Sequence, residues 1–403
     1  MIIKVAWRNV WRHKTRSAVI VFSVMFGIWA GIFMQSFMNG MVEQRVRTSI
    51  QTEVSHLQIH NPGFSKDHDA NYFIPDGPAF VKTISGFPQV QSVCGRVIAK
   101  GMIATSSGSA GIKINGIEPA AERSTTQLDK SLIEGNYLST EGKNEIFIGE
   151  KLLKKLKLKL KSKVVLTVMD KDNNIASGAF RIRGIFRTQN TPYDEANVFV
   201  YGKDLSELLG TPGEIHEIAV LLKSNAALDS TCQKLQSGWP SVKTETWKEI
   251  APEIDLTVSV ANQSFYIFMG IIMLALAFGI VNTMLMAILE RTREIGMLMA
   301  LGMNKAKVFY MIFLETLFLV FCGTPFGIIL SLITTYYFGK YGIDMSGYKE
   351  VYSSFGYSEM IYPTINLRDY RIILELVVAT TIFSSLFPAR RALKLNPSEA
   401  IRK

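Results

Sequence analysis

The sequence predicts an integral membrane α-helical protein: four transmembrane helices, with a large extracytoplasmic α/β domain between the first and second. Three observations carry this. Four apolar blocks, 18–40, 265–289, 308–338 and 370–387, interrupt a chain of 403 residues that is 48% hydrophobic. A helix rises about 1.5 Å per residue, so some 25 residues cover roughly 37 Å, enough for a bilayer core of about 30 Å. The stretch 41–264 reads instead as short strands and turns with at least one helix. Charge then sets the direction. The chain carries a formal +10, but 1–17 holds five basic and no acidic residues, 290–307 four against two, and 388–403 five against one. The stretch 41–264 is close to neutral, with 26 basic and 25 acidic residues. Basic excess confined to three flanks is the positive-inside pattern, which puts both termini and 290–307 in the cytosol. The pI therefore needs no nucleic-acid partner.

Residues 1–17 place Val5, Trp7, Val10 and Trp11 among Lys4, Arg8, Arg12, Lys14 and Arg16. That fits a helix lying in the membrane interface, tryptophans at headgroup depth and cations toward water, or a plain basic flank. The block 18–40 is longer than a signal-peptide core and no A-x-A site follows it, so it reads as an uncleaved anchor. Gly27 and Gly31 form a GxxxG, which permits close helix packing.

Within 41–264, HLQIH, IKINGIEP, VVLTVMD and FRIRGIF read as strands, and GEKLLKKLKLKL as a short basic helix entering a strand. The lysines between 151 and 163 read as a solvated face. His56, His60 and His68, near Asp67 and Asp69, raise a metal site, but no cysteine is near and polar surface is the preferred reading. Cys94, Cys232 and Cys322 form no disulfide framework, and Cys94 and Cys232 are read as free thiols. The sequence holds no nucleophile elbow, no HExxH and no P-loop lysine, so this chain is not an enzyme, binds no cofactor of its own and leaves any ATP chemistry to another chain.

The block 265–289 returns to the cytosol and contains Asn282. ERTREIGMLMALGMNKAK, 290–307, follows. Arg291 and Glu294 are three apart on one helical face, and Ile295, Leu298, Met299 and Gly302 recur at helical spacing. Gly302 suits the helix end and Asn304 the cap of the next helix. A short amphipathic helix there could receive force from a cytosolic motor; a tight loop is the alternative. The overlong block 308–338 is expected to kink or break at Pro325. A carboxylate inside a span costs roughly 2.5–3.5 kcal/mol, so Glu315 should face other helices. It is read as a structural hydrogen-bonding group rather than a proton relay. A tyrosine-rich outer loop, 339–369, leads to the block 370–387, where Arg371 and Glu375 are four apart and can pair. The tail 388–403 is basic and amphipathic.

The order of one span, a large outer domain and three spans resembles the FtsX/MacB superfamily of ABC-transporter permeases, the type VII or mechanotransmission class. The residues carrying the resemblance are GIVNTML at 279–285, ERTREIG at 290–296, Ala300-Leu301-Gly302, Glu315 with Gly323 and Gly327, and Pro388-Ala389-Arg390-Arg391-Ala392 with Pro397 and Glu399-Ala400. SHLQIHNPGF, INGIEPAAE, LIEGNYL, IFIGEKLLKKLKLK and FRIRGIFRTQN resemble the outer domain of lipoprotein-releasing permeases of the LolC/LolE type. ERTREIG and the short outer loop are closer to general MacB-like permeases.

The resemblance implies mixed α/β outer subdomains, a bacterial inner-membrane location and a coupling helix docked on a cytosolic ATPase dimer that holds ATP and magnesium. It places Glu290, Arg291, Arg293, Glu294, Ile295, Gly296, Leu298 and Gly302 at that coupling site, and Asn282, Glu315 and Glu375 as polar groups inside the membrane. One chain offers one coupling helix, so a second permease copy or homologue is expected. An amphiphilic cargo such as a lipoprotein, entering from the outer leaflet, would pass Met34, Phe37 and Met38 on the first span and Phe265, Tyr266 and Met269 on the second, although lipid or helix packing accounts for each of these. A periplasmic chaperone or adaptor would receive it. The alternatives are a MacB-like exporter of peptides or drugs and an FtsX-like regulator of a cell-wall hydrolase.

Overall fold

The computed structural model describes residues 2–12, 14–64, 69–139 and 142–393. His68 and Asp67, and Pro397, Glu399 and Ala400 of the tail, lie outside them. The chain forms two compact units: 1–42 with 258–344 and 360–403, and 43–257 with 345–359.

The first unit is helical. Helix α1 is Ile2–Arg12, α2 Lys14–Ser49, α3 Pro252–Glu290, α4 Thr292–Ala300, α5 Lys305–Tyr341 and α6 Leu367–Leu393. Four of them, α2, α3, α5 and α6, are long and apolar enough to cross a membrane. Their shared core is aliphatic and methionine-rich: Val24, Ile28 and Ile32 of α2, Met273, Leu276 and Ile280 of α3, Ile312 and Leu319 of α5, Ile373 and Val377 of α6. Small residues let backbones meet. A Cβ at Gly323 would lie 2.8 Å from the carbonyl oxygen of Val21, and one at Gly327 2.9 Å from that of Met25. Any side chain there would push α5 off α2. Gly27 and Gly31 of α2 face Leu276 and Met269 of α3.

The break expected at Pro325 does not occur, because α5 runs unbroken through it. Proline removes one backbone donor and crowds the preceding turn. Here Gly323 and Gly327 clamp both sides of the proline on α2. Pro388, likewise, lies inside α6 rather than at its end.

The second unit is strand-rich. Its strands are β1 Leu57–His60, β2 Val90–Thr105, β3 Gly108–Ile117, β4 Leu132–Gly135, β5 Glu145–Gly149, β6 Lys163–Met169, β7 Ile175–Phe186, β8 Asn197–Tyr201, β9 Glu217–Leu222 and β10 Lys243–Thr246. Pairing runs β2–β3–β8–β5–β7–β6 and back to β2, a closed ring of six strands. Its interior is filled by alternating branched side chains, among them Ile103, Ile114, Ile148, Leu166, Ile182 and Val200. The first half of β2 leaves the ring to pair with β9, which continues through β1 to β10 as an open antiparallel sheet. The long β2 thus belongs to two subdomains.

The basic segment after Gly149 forms the helix Glu150–Lys155 and a turn before β6. Part of the predicted outer loop, 345–359, belongs to this unit, where Gly356 packs against the Arg45 guanidinium. Arg45 in turn pairs with Glu53 at 2.9 Å, and both are buried.

Candidate functional site

The site assembles where α3 ends, α4 turns and α5 begins, with α1 against them. Arg291 is the residue before α4, with φ −101° and ψ 15°, so it turns the chain instead of extending a helical face. Its Nη1 donates to Glu315 Oε1 and Oε2 at 3.1 and 3.4 Å, and Nη2 donates to the Asn9 carbonyl at 3.3 Å. Arg291 and Glu315 are only 7% and 8% exposed. Glu315 therefore finds its partner at this end of α5, and Arg291 is withdrawn from any docking face.

Glu294 is bonded to Arg12 of α1 at 2.9 and 3.2 Å, and Glu290 pairs with Arg16. Helix α4 closes on Gly302 at φ +94°, a backbone region that glycine enters freely. Gly302 N–H donates to Met299 O at 3.1 Å and Met303 N–H to Leu298 O at 3.0 Å, the paired bonds of a Schellman end. The Asn304 side chain then accepts from Ala306 N–H and caps α5. So α4 is fixed at both ends.

The structure divides the predicted coupling residues. Ile295 and Gly296 are buried with Arg291, and Glu294 and Leu298 are half-buried. Arg293 and Gly302 are exposed, and Glu290 is exposed beside Arg16. The outward face is completed by Met297 and Leu301, 54% and 84% exposed, which the set omitted. The signal was present: 293, 297, 300 and 301 recur at helical spacing opposite Ile295 and Leu298. A cavity of about 360 Å³ lies beneath, lined by Val5 and Asn9 of α1, Met284 and Ile288 of α3, Leu298 of α4 and Ile312 of α5, with Arg291 and Glu315 at its wall.

The residues proposed to line a cargo entry separate. Phe265 and Met269 are core residues, 8% and 2% exposed, and Tyr266 points outward at 62%. Met34, Phe37 and Met38 are half-buried. Helical geometry explains the split: 265 and 269 are one turn apart on the face toward α2, and 266 is a step of about 100° away. Asn282 is exposed, on a stripe of α3 shared with Ile271, Leu274, Phe278 and Met286. Glu375 is also exposed, 3.7 Å from Arg371.

In the strand-rich unit, His56 and His60 are buried rather than surface groups. His56 Nδ1 accepts from Leu222 N–H at 3.1 Å. His60 lies between two carboxylates, Nε2 at 3.3 Å from Glu217 Oε2 and Nδ1 at 3.4 Å from Glu245 Oε2. Among the described residues no group of three or more His, Cys, Asp or Glu is arranged for a metal, and Cys94, Cys232 and Cys322 are free.

Burial disfavours the His60 cation, but the bonds to Glu217 and Glu245 outweigh it and raise its pKa above 6.5. A raised pKa stabilises the fold below the unfolded value, and that stability is lost as pH rises through the folded value. The urea midpoint of this unit should thus fall between mildly acidic and alkaline pH, and the fall should shrink in His60→Gln. An equal fall in both proteins would refute the assignment.

Two family models match the chain. The MacB-like periplasmic core domain covers residues 17–237, and the FtsX-like permease C-terminal model covers 266–397. The lipoprotein-releasing system transmembrane protein LolC of Neisseria meningitidis is 21% identical over 314 residues, 75% of each chain. A macrolide export ATP-binding/permease protein MacB of a Shewanella species is 26% identical over 235 residues, 55% of this chain and 33% of that one. The solved periplasmic region of MacB from Actinobacillus actinomycetemcomitans aligns with 52% of this chain and 97% of its own, at 16% identity and a TM-score of 0.37. The four long helices, the strand-rich domain between the first two and both model matches agree: the chain belongs to the FtsX-like, MacB-like family of ABC-transporter permeases.

Proposed function

We propose that this chain is the permease subunit of a mechanotransmitting transporter that releases lipoproteins or other amphiphilic cargo from the outer leaflet of a bacterial inner membrane. Both termini and α4 face the cytosol. A separate ATPase dimer, holding ATP and magnesium, docks on α4. The observation that carries the reading is α4 itself: a short helix bonded at both ends, with Arg293, Met297 and Leu301 turned outward. A helix held this firmly passes displacement to α3 and α5 instead of absorbing it. Those spans, with α2, would carry the motion to the outer domain. The exposed Asn282 supports a second permease copy, since an amide on the outward face of a span gains a partner only across a helix–helix interface. Cargo of the lipoprotein class is favoured by the relative whose match covers three quarters of both chains. The long match to the MacB-like core model favours a second reading, export of peptides or drugs through an adaptor.

Met297→Asp with Leu301→Asp should abolish co-purification of the ATPase. Loss of an apolar anchor costs an interface about 2 kcal/mol, roughly thirtyfold in affinity per residue. Both side chains are exposed, so thermal stability should hold. Unchanged co-purification would remove α4 as the docking element. Mass spectrometry of the native complex then separates the readings: acylated lipoproteins lost on adding ATP support release, and adaptor proteins without lipoproteins support export.

A further inference from the structure

We infer that α1 is a sensor of anionic lipid in the adjoining leaflet, and that it passes the state of the surface to α4. Its sequence builds two faces. Ala6 and Val10, 0% and 2% exposed, seat it on the bundle, and Trp7 meets the Phe318 ring edge-on at 5.4 Å. Around the helix, Trp7, Trp11, Lys4, Arg8 and Arg12 follow one another within an arc of roughly 140° at 100° per residue. All five are exposed. Two indoles beside three cations is the pattern of a helix lying at headgroup depth, rings among the chains and cations at the phosphates. Basic flanks arise wherever a span meets the cytosol, but that rule does not place indoles and cations on adjoining arcs of one helix.

The cations differ in their partners. Lys4 and Arg8 make no ion pair with any described residue, so they are available to lipid phosphate. Arg12 is engaged by Glu294 of α4, at 2.9 and 3.2 Å. One turn inward, the Asn9 carbonyl of α1 accepts from Arg291, the residue from which α4 starts. The helix that meets the lipid therefore also holds α4 at Glu294 and at Arg291. Lys14, Lys305 and Lys307, exposed at the same end of the bundle, add to the attraction for an anionic surface. When phosphates occupy Lys4 and Arg8, α1 is pinned to the surface and α4 is held in one position. In a neutral leaflet α1 is loose and α4 moves with it. The consequence for transport rests on the reading of α4 as the ATPase-docking helix; the lipid response itself does not.

The test uses the full chain without any ATPase. Cys232 and Cys322 are replaced by Ser, buried Cys94 is kept, and a nitroxide is attached at Met297→Cys. Vesicles are of phosphatidylcholine alone or with about 30% phosphatidylglycerol. The label should slow when phosphatidylglycerol is present. Two cations near an anionic surface are worth roughly thirtyfold in affinity, so Lys4→Gln with Arg8→Gln should abolish the response over that range. Arg12→Gln should keep α1 at the surface, read by fluorescence of a dye on Thr15→Cys, yet weaken the lipid response of the Met297 label, since only the tie from the Asn9 carbonyl to Arg291 is left. High salt should erase the wild-type response. The inference is overturned if the label is equally mobile in both vesicles, if it loosens with phosphatidylglycerol, or if the Lys4/Arg8 variant responds like wild type. ATPase co-purification with the Met297/Leu301 variant is read separately, so failure of the docking reading and failure of this one are distinct results.

Discussion

Arg291→Met is expected to destabilise the helical unit by about 3–5 kcal/mol, the range seen when one partner of a buried ion pair is removed. The substitution deletes the guanidinium that bonds Glu315, 8% exposed, and leaves that buried carboxylate only Asn9 and the charge of Arg16. It also frees the Asn9 carbonyl, so α1 loses one of its two ties to the start of α4. Glu315→Leu should cost a similar amount, by orphaning Arg291. The double variant should recover most of the loss, because an apolar pair of similar volume fills the same space without desolvated charge. Thermal unfolding midpoints of the four detergent-purified proteins decide the matter. Two low midpoints and a restored double place the pair as structural. If either single variant matches wild type, the pair is dispensable. If the double is as low as the singles, the ion pair itself shapes the turn.

The architecture was legible because its signals are long. Four apolar blocks and their basic flanks fix the spans, and no local exception inside a block alters that count. Pro325 shows the limit. Sequence marks it as a breaker, but the clamp that keeps α5 helical is the contact of Gly323 and Gly327 with α2, formed by residues about 300 positions away. Arg291 shows another. Its spacing from Glu294 reads as a helical face, whereas its side chain is bonded to Glu315, nearly three turns into the next helix. The exposed half of α4 is legible by period, since Met297 and Leu301 recur with Arg293 opposite Ile295 and Leu298. In the strand-rich unit, individual strands were visible by alternation. The closure of six of them into a ring was not, since β6 pairs with both β2 and β7 through contacts that no local pattern specifies. His60 looked like strand surface because the two carboxylates that enclose it come from β9 and β10, more than 150 residues on.

Arg96→Met should cost the strand-rich unit about 3–5 kcal/mol, a large part of the 5–15 kcal/mol that typically holds a domain together. Arg96 is 4% exposed, and Glu122 and Glu217 are each 1% exposed. The guanidinium forks onto Glu122, Nη2 to Oε1 at 2.6 Å and Nε to Oε2 at 2.9 Å, and reaches Glu217 Oε1 with Nη1 at 2.6 Å. Burial pushes Glu217 up, but the charges of Lys113 and Arg96 and the bond from His60 outweigh it and hold its pKa well below the usual carboxylate range. Glu122 also accepts from Thr126 Oγ1 and Cys94 Sγ, so the fork ties β2 to the helix Pro119–Thr126 as well as to β9. This is the point where β2 passes from the ring to the open sheet. Removing Arg96 takes from two buried carboxylates the guanidinium that they share, and methionine supplies volume but no donor. Arg96→Lys should fall only part of the way back, since one ammonium cannot reproduce the two-pronged bond to Glu122. Triple replacement of Arg96 by Met and of Glu122 and Glu217 by Gln should recover much of the loss by removing the stranded charge. Urea midpoints order the series: Arg96→Met lowest, Arg96→Lys and the triple variant above it, wild type highest. A midpoint for Arg96→Met within experimental scatter of wild type would show that the two subdomains are joined by packing alone.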